Sequence, residues 1–354
     1  MTDAVSWELA ERVAIRVAGG GPLERSSRHS SLLHDFEELT AKAESLVERE
    51  TGLVSLAGVA RAKVTDRAGW IKANLASFQR LLLPVINKLG PRAGSGPLAP
   101  ASRLVTGAQV GSLLGWMSRR VLGQYDLLLV EDDRPEDQDI VYYVGPNIVE
   151  LERRFAFPPR EFRLWLAIHE VTHRAQFTGI PWMRDHFLSL VAEGLDSLQP
   201  DPRQLLGALR RAVNEVSSGR NPLSEGIIAL LATPDQAEIL GRIQGLMSLL
   251  EGHGDVTMDR AAVAEIPNAG RFSRILRERR TSVSGPSRIL QQAIGIEAKL
   301  RQYEQGESFI AAVERAGGRE LMDRAWQGPA WLPSLAEVQE PQRWLSRVGA
   351  SPAG

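Results

Sequence analysis

The sequence predicts a mainly α-helical fold with a small β-hairpin or sheet beside one central helix. Apolar residues recur at helical spacing along most of the chain, and Gly or Pro interrupts the pattern. Only residues 125–131 and 139–144 are typical of strands. Residues 164–177 contain the pattern H-E-x-x-H, whose two histidines share a face only if the segment is helical.

Composition limits the classes of site and partner. The 354 residues are 43% hydrophobic and 24% charged, which suits a globular protein with a large core. With 42 basic and 43 acidic residues, we expect no nucleic-acid partner. The chain contains no cysteine, so a metal would be held by His, Asp or Glu.

The N-terminus and the apolar runs indicate where the protein resides. The first residues, M-T-D-A-V-S-W-E-L-A-E-R, are mixed and charged and lack an apolar signal core. No apolar run approaches the roughly 18 residues that a membrane span needs. We therefore expect a cytoplasmic protein without a membrane partner, and the sequence leaves the oligomeric state open.

The first part of the chain is predicted to be helical, with helices at 4–18 and 31–50. The Pro- and Gly-rich stretch 90–101 resembles a linker. This divides the chain into an N-terminal helical region, 1–100, and a region with the H-E-x-x-H helix, 101–354. One intertwined domain is the alternative.

Three glycines at every fourth position follow the linker. Gly107, Gly111 and Gly115 lie on one face of a predicted helix and remove the side chains that would keep a second helix away. The apolar run is too short for a membrane dimer, so close packing inside a soluble bundle is predicted.

The two predicted strands form a hairpin just before the H-E-x-x-H helix. Their loop, Asp132 to Asp137, lacks the spacing of a calcium loop, so no metal is assigned there. A strand edge beside a metal site can pair with an extended peptide through backbone hydrogen bonds. A purely structural sheet is the alternative.

The H-E-x-x-H pattern predicts zinc binding. His169 and His173 are four residues apart, so both imidazoles can bind one Zn²⁺ from the same helix face. Glu170 lies beside them and can accept a proton from water. The alternative is an ordinary helix whose histidines have no metal.

A later helix supplies a candidate third ligand. It begins at T-P-D-Q, a capping-box pattern starting at Thr233, and reaches E-G-H-G-D. Glu251 is the predicted ligand, and Asp255, on the same face, would accept a hydrogen bond from a ligating imidazole. His253 is the alternative ligand and would require an irregular helix. Gly252 and Gly254 are expected to let this helix approach the His169–His173 helix.

A tetrahedral oxyanion in amide hydrolysis needs a further hydrogen-bond donor. Tyr303 is the favoured candidate, with Tyr143 and His186 as others. Core packing is the alternative for all three. The Trp- and Pro-rich C-terminal tail is expected to pack over the surface, and the five arginines in 271–280 to form a solvated face.

Six segments of the chain together carry a resemblance to a known family. The segments are D-R-A-G-W-I-K-A-N at 66–74, S-R-R-V-L-G-Q-Y-D at 118–126, G-P-N-I at 145–148, H-E-V-T-H-R-A-Q-F at 169–177, L-L-E-G-H-G-D at 249–255 and K-L-R-Q-Y at 299–303. Together they resemble the bacterial zincin-like metallopeptidases of the type 2 group. The resemblance implies a zincin-like, mainly helical fold and a catalytic region within 101–354. Members are often labelled coenzyme F-420 biosynthesis-associated or hydrolases, but no residue pattern here indicates deazaflavin binding.

The chain is also similar to zinc proteases in which a ligand Glu is followed four residues later by an Asp that supports a His. Glu251 and Asp255 match that pattern, although Glu251 lies 78 positions after His173, much farther than in those enzymes. We therefore predict a zinc-dependent metallopeptidase or other amide hydrolase. The alternatives are an inactive zinc-binding scaffold and a deazaflavin-pathway protein of another kind.

Overall fold

The computed structural model describes residues 5–20, 28–79, 99–125, 139–197, 233–263, 265–281 and 296–349. The predicted loop at 132–137 and most of the predicted linker lie outside these ranges. The described chain is mainly helical and contains a small mixed sheet, as predicted. No helix in the described ranges combines the length and the apolar character that crossing a bilayer would require.

In chain order, the three described strands lie among the earlier helices, and the later described elements are helical. The first are α1 (Trp7–Ala18), α2 (Arg28–Thr51), β1 (Arg61–Thr65), α3 (67–79), α4 (Ala99–Ser118), β2 (Gly123–Tyr125), β3 (Ile140–Val144), α5 (Gly145–Arg154) and α6 (Pro159–Gly179). Then come α7 (Met183–Ser197), α8 (Pro234–Ala262), α9 (Ala269–Thr281), α10 (Ile296–Asp323), α11 (Leu335–Gln339) and α12 (Pro341–Gly349).

Contacts along the chain define two compact units. One comprises Met1–Gly179 with Thr257–Ala269, and the other comprises Ile180–Val256 with Gly270–Gly354. The division between 1–100 and 101–354 stays a prediction.

In the first unit, α1 and α4 pack through the three evenly spaced glycines. A Cβ at Gly111 would lie 2.3 Å from the carbonyl oxygen of Ala10, and one at Gly115 would lie 2.5 Å from that of Ala14. Gly107 makes an equivalent approach one turn earlier. Any side chain at these positions would separate the helices, so the prediction of close helix packing is confirmed.

The sheet has the strand order β1-β3-β2, with β1 parallel and β2 antiparallel to β3. All five residues of the central strand β3 are buried. The predicted strand at 139–144 is confirmed, whereas 126–131 lies outside the described residues. The parallel strand β1 was not predicted, because R-A-K-V-T shows no clear apolar alternation.

Helix α6 is the central helix of the first unit. Its side chains are buried on nearly every face, including two arginines that would be costly to bury alone. Arg163 binds Glu152 through its Nε at 2.7 Å. Arg174 donates to the Asp139 carboxylate and, through Nη1, to Glu44 at 2.6 Å. These ion pairs fix α6 against its neighbouring segments.

In the second unit, α8 begins with the predicted capping box. The backbone N–H of Thr233 donates to Gln236 Oε1 at 2.8 Å, and the N–H of Gln236 donates to Thr233 Oγ1 at 3.3 Å. These bonds satisfy two amides that a helix start leaves unpaired.

The backbone that Gly252 approaches is that of Gly306 in α10. A Cβ at Gly252 would lie 2.4 Å from the carbonyl carbon of Gly306. The expectation that Gly252 serves contact with the His169–His173 helix was therefore wrong. Two facing glycines let two helix backbones touch, and the sequence indicated the close approach without indicating its partner.

The C-terminal tail contributes to the core of the second unit. Trp344 is fully buried beside Phe309, and its indole Nε1 donates to the carbonyl oxygen of Trp331 at 2.8 Å. The tail was expected to pack over the surface, and this expectation was wrong. Apolar side chains at the buried positions of α12 make it part of the core.

Candidate metal centre

His169 and His173 turn their Nε2 atoms toward each other from successive turns of α6. The two Nε2 atoms are 3.2 Å apart, and the rings are nearly perpendicular, at 87°. Both side chains are partly exposed, although the helix around them is mostly buried. The pair therefore presents two nitrogen donors toward one accessible point.

The spacing of the two nitrogens fits a tetrahedral zinc ion. Zn–N bonds of about 2.0–2.1 Å at a tetrahedral angle place two nitrogen ligands about 3.3 Å apart. The Nε2–Nε2 distance of 3.2 Å is close to that value. The side chains thus have the donor type and the separation that the metal requires.

Gln176 orients one of these imidazoles. The Nδ1 atom of His173 lies 3.0 Å from Oε1 of Gln176, which is fully buried one turn further along α6. An amide oxygen accepts a proton at Nδ1, which leaves the Nε2 lone pair available to a metal. Gln176 was not predicted as a site residue, although its position three residues after His173 was the available signal.

Glu251 supplies the third donor of the group. One ligand atom from each of His169, His173 and Glu251 lies within 4.8 Å of the others. Among the described residues, this is the one group of three or more such side chains close enough to hold a metal ion. Glu251 is 7% exposed and follows the apolar run of α8, so its carboxylate is in a largely buried setting.

The alternative ligand His253 is not part of this group. Its ring contacts the Trp326 indole edge-on, with centroids 5.0 Å apart. Helix α8 continues as one helix from Pro234 to Ala262, and His253 lies two residues after Glu251 on a different face. Asp255, four residues after Glu251, is buried at 5% exposure.

The oxyanion candidates have different surroundings. The backbone of Tyr303 belongs to α10, three residues before Gly306, and its side chain lies outside the described part of the structure. Tyr143 is fully buried on β3, and its hydroxyl is 2.9 Å from Thr40 Oγ1. Its burial, with the nearby Glu170 charge, raises the pKa of the Tyr143 hydroxyl. Tyr143 therefore packs in the core, which is the alternative that was given for it.

His186 lies on α7, with its ring against Trp182. Burial and the positive charge of Arg242 lower the pKa of the His186 imidazole. The contact between the two rings gives His186 a packing role in the second unit.

Glu170 follows His169 directly on α6 and lies in a confined place. Its side chain is 8% exposed, and strand β2 approaches it so closely that a Cβ at Gly123 would lie 2.6 Å from Glu170 Cγ and Oε1. A carboxylate so enclosed has few orientations available to it.

Comparison with known proteins identifies a family and a similar solved structure. The sequence matches the family described as zincin-like metallopeptidase over residues 5–345. A solved structure, the "putative hydrolase with a novel fold" from Chloroflexus aurantiacus, is similar with a TM-score of 0.71 at 28% identity. The match covers 98% of this chain and 99% of that one. A search of curated proteins gave no significant match. Because the family match extends over nearly the whole length, the chain belongs to the zincin-like metallopeptidase family.

Proposed function

We propose that this protein is a zinc-dependent hydrolase that cleaves peptide or other amide bonds. His169, His173 and Glu251 would hold the ion, which leaves a fourth tetrahedral position for water or substrate. The observation that carries the proposal is the convergence of their ligand atoms within 4.8 Å. The family and the hydrolase-like neighbour support the same class of reaction.

Bound zinc supplies a Lewis acid that increases the acidity of water and polarises the scissile carbonyl. The protein supplies the proton transfers. Glu170 is the proposed general base that accepts a proton from the attacking water and returns it to the leaving amine. Its position directly after His169 keeps its carboxylate beside the ligand pair.

Two buried side chains are proposed to keep the ligands in place. Gln176 is proposed to accept a hydrogen bond from the Nδ1–H of His173. Asp255 is proposed to accept a hydrogen bond from the far nitrogen of a ligating imidazole, as in the zinc proteases with a Glu and an Asp four residues apart. Tyr303 is the proposed oxyanion donor, and its place three residues before Gly306, which contacts Gly252, supports that role.

Strand β2 is the proposed docking edge for an extended peptide. It is the outer strand on one side of the described sheet, and its Gly123 touches Glu170. A peptide that adds to this edge by backbone hydrogen bonds would bring its amide bond to the general base.

Replacement of Glu170 with Gln tests the proposal. The change keeps shape and removes the base, so we expect hydrolysis of a fluorescence-quenched peptide library to fall by about 100-fold or more. Zinc content, measured by elemental analysis, should stay at the wild-type level. Arg343→Ala is the control, because Arg343, on α12, forms an exposed ion pair with Glu340.

Two results would oppose the proposal. Undiminished hydrolysis by Glu170→Gln would exclude Glu170 as the base. A zinc-loaded wild type that cleaves no member of the library would favour the zinc-binding scaffold, and titration with a deazaflavin, followed by fluorescence, would test the remaining alternative.

A further inference from the structure

Gly123 and Glu170 are so close that no side chain fits between them. A Cβ at Gly123 would lie 2.6 Å from Glu170 Cγ, 2.6 Å from Oε1 and 2.7 Å from Cδ. Real Cβ atoms essentially never approach other heavy atoms below 3.0 Å. A residue larger than glycine would therefore displace the carboxylate or the strand.

Backbone conformation does not explain this glycine. Positive φ angles occur among the described glycines at Gly19, Gly52, Gly58 and Gly318, and Gly123 is not one of them. Gly123 lies in a strand and pairs with Tyr143, in a conformation that any L residue adopts. Glycine weakens a strand, so its presence here reflects a need for space.

Strand β2 is held so that it cannot easily move away. The Trp70 indole Nε1 donates to Gln124 Oε1 at 2.7 Å, and Gln124 Nε2 donates to Asn74 Oδ1 at 3.2 Å. Asn74 in turn donates to the backbone carbonyl of Trp70 at 2.9 Å. This closed set of bonds anchors the residue next to Gly123 to helix α3.

Glu170 also has little room to move. It lies on a buried helix and is 8% exposed, so a new rotamer must displace neighbouring side chains. The strand and the carboxylate are thus both confined, and the missing side chain at position 123 decides where the carboxylate sits.

We propose that Gly123 is a positioning residue for the general base, because its lack of a side chain sets the orientation of the Glu170 carboxylate. This inference rests on the proposed function of Glu170. A general base must lie within about 2.6–3.2 Å of the proton it removes, so a shift of one ångström matters.

The test is the variant Gly123→Ala, and Gly241→Ala is its control. Gly241 lies on α8, and a Cβ added there would meet nothing within 4 Å. We expect kcat of Gly123→Ala to fall about 100-fold, the effect of a 1 Å misplacement, with KM and zinc content close to wild type. Gly241→Ala should retain the wild-type kcat. A kcat for Gly123→Ala equal to that of wild type would overturn the proposal.

A stability measurement separates a clash with Glu170 from a general defect of the strand. If the added Cβ clashes with Glu170, then Gly123→Ala should not lower the Tm of a Glu170→Ala background. The Glu170→Ala variant lacks the Cγ, Cδ and Oε1 atoms that the Cβ would meet. If the Gly123→Ala single variant does not fold, the double variant should still fold, and its Tm should equal that of Glu170→Ala. An equal loss of Tm in both backgrounds, or a double variant that stays unfolded, would overturn the inference.

A crystal structure of Gly123→Ala keeps this inference independent of turnover. If the zinc-loaded wild type hydrolyses nothing, the proposed function fails. The position of the Glu170 carboxylate in the variant still shows whether Gly123 positions it. A displaced carboxylate supports the positioning role, whereas an unmoved carboxylate contradicts it.

Discussion

His173 Nδ1 lies 3.0 Å from Gln176 Oε1, one turn further along the helix that carries both histidines. Gln176→Leu preserves much of the volume but removes the acceptor that holds the imidazole orientation. We expect the Kd for zinc to rise about 10- to 100-fold, as measured by competition with a chromophoric chelator. Gln176→Glu keeps an acceptor and should bind zinc more tightly than Gln176→Leu. Equal zinc affinity in wild type and Gln176→Leu would show that Gln176 does not support the site.

Arg174 holds the central helix through buried charges. It is 1% exposed and binds Asp139, Glu44 and the carbonyl oxygen of Gly58. Arg174→Met would leave the carboxylates uncompensated, so the free energy of unfolding should fall by about 3–5 kcal/mol in urea titration. Arg343→Ala, which removes an exposed pair, should stay within about 1 kcal/mol of wild type. Similar losses in the two variants would contradict this assignment.

The α1–α4 crossing should tolerate no side chain on its glycine face. Gly111→Val places atoms against the Ala10 carbonyl and should lower the free energy of unfolding by about 1–3 kcal/mol or more. Gly241→Ala meets nothing and gains helix propensity, so it should be neutral or stabilising by about 0.5–1 kcal/mol. Thermal or chemical unfolding measures the stability of both variants. A Gly111→Val variant as stable as wild type would show that the helices do not touch there.

Protonation of His186 is expected to contribute to the loss of stability of the second unit at acidic pH. Burial, followed by the charge of Arg242, lowers the imidazole pKa below its ordinary 6.5. The unfolded state then binds more protons, so the contribution of His186 to stability is complete above pH 6.5 and decreases as the pH falls toward the lowered pKa. The stability of His186→Gln should therefore fall less between pH 7 and 5 than that of wild type in urea titrations. An equal or steeper fall would contradict the direction of the shift.

Local patterns in the sequence predicted the features that depend on local geometry. The spacing of Gly107, Gly111 and Gly115 defines one helix face, and that face is where α1 approaches. The capping box at Thr233 needs only residues within one turn, and both of its hydrogen bonds are present. The histidine pair likewise follows from a spacing of four residues on one helix.

Features that depend on distant partners were missed or misassigned. Strand β1 exists because it pairs with β3, and nothing within R-A-K-V-T requires it. Gly252 indicated that another helix approaches closely, but its partner residue, Gly306, is 54 residues away in the sequence. The contact of Gly123 with Glu170 joins two segments that have no sequence signal linking them. Such pairings are set by tertiary packing, which a single sequence does not encode in any short window.

Glu251 is the proposed third zinc ligand, and the zinc content of purified variants tests this assignment. Wild type, Glu251→Ala and His253→Ala would be purified alike, loaded with zinc, passed through a desalting column and analysed by elemental analysis. We expect about one zinc per chain in wild type and in His253→Ala, and little in Glu251→Ala. Full zinc in Glu251→Ala, together with its loss from His253→Ala, would contradict the ligand set.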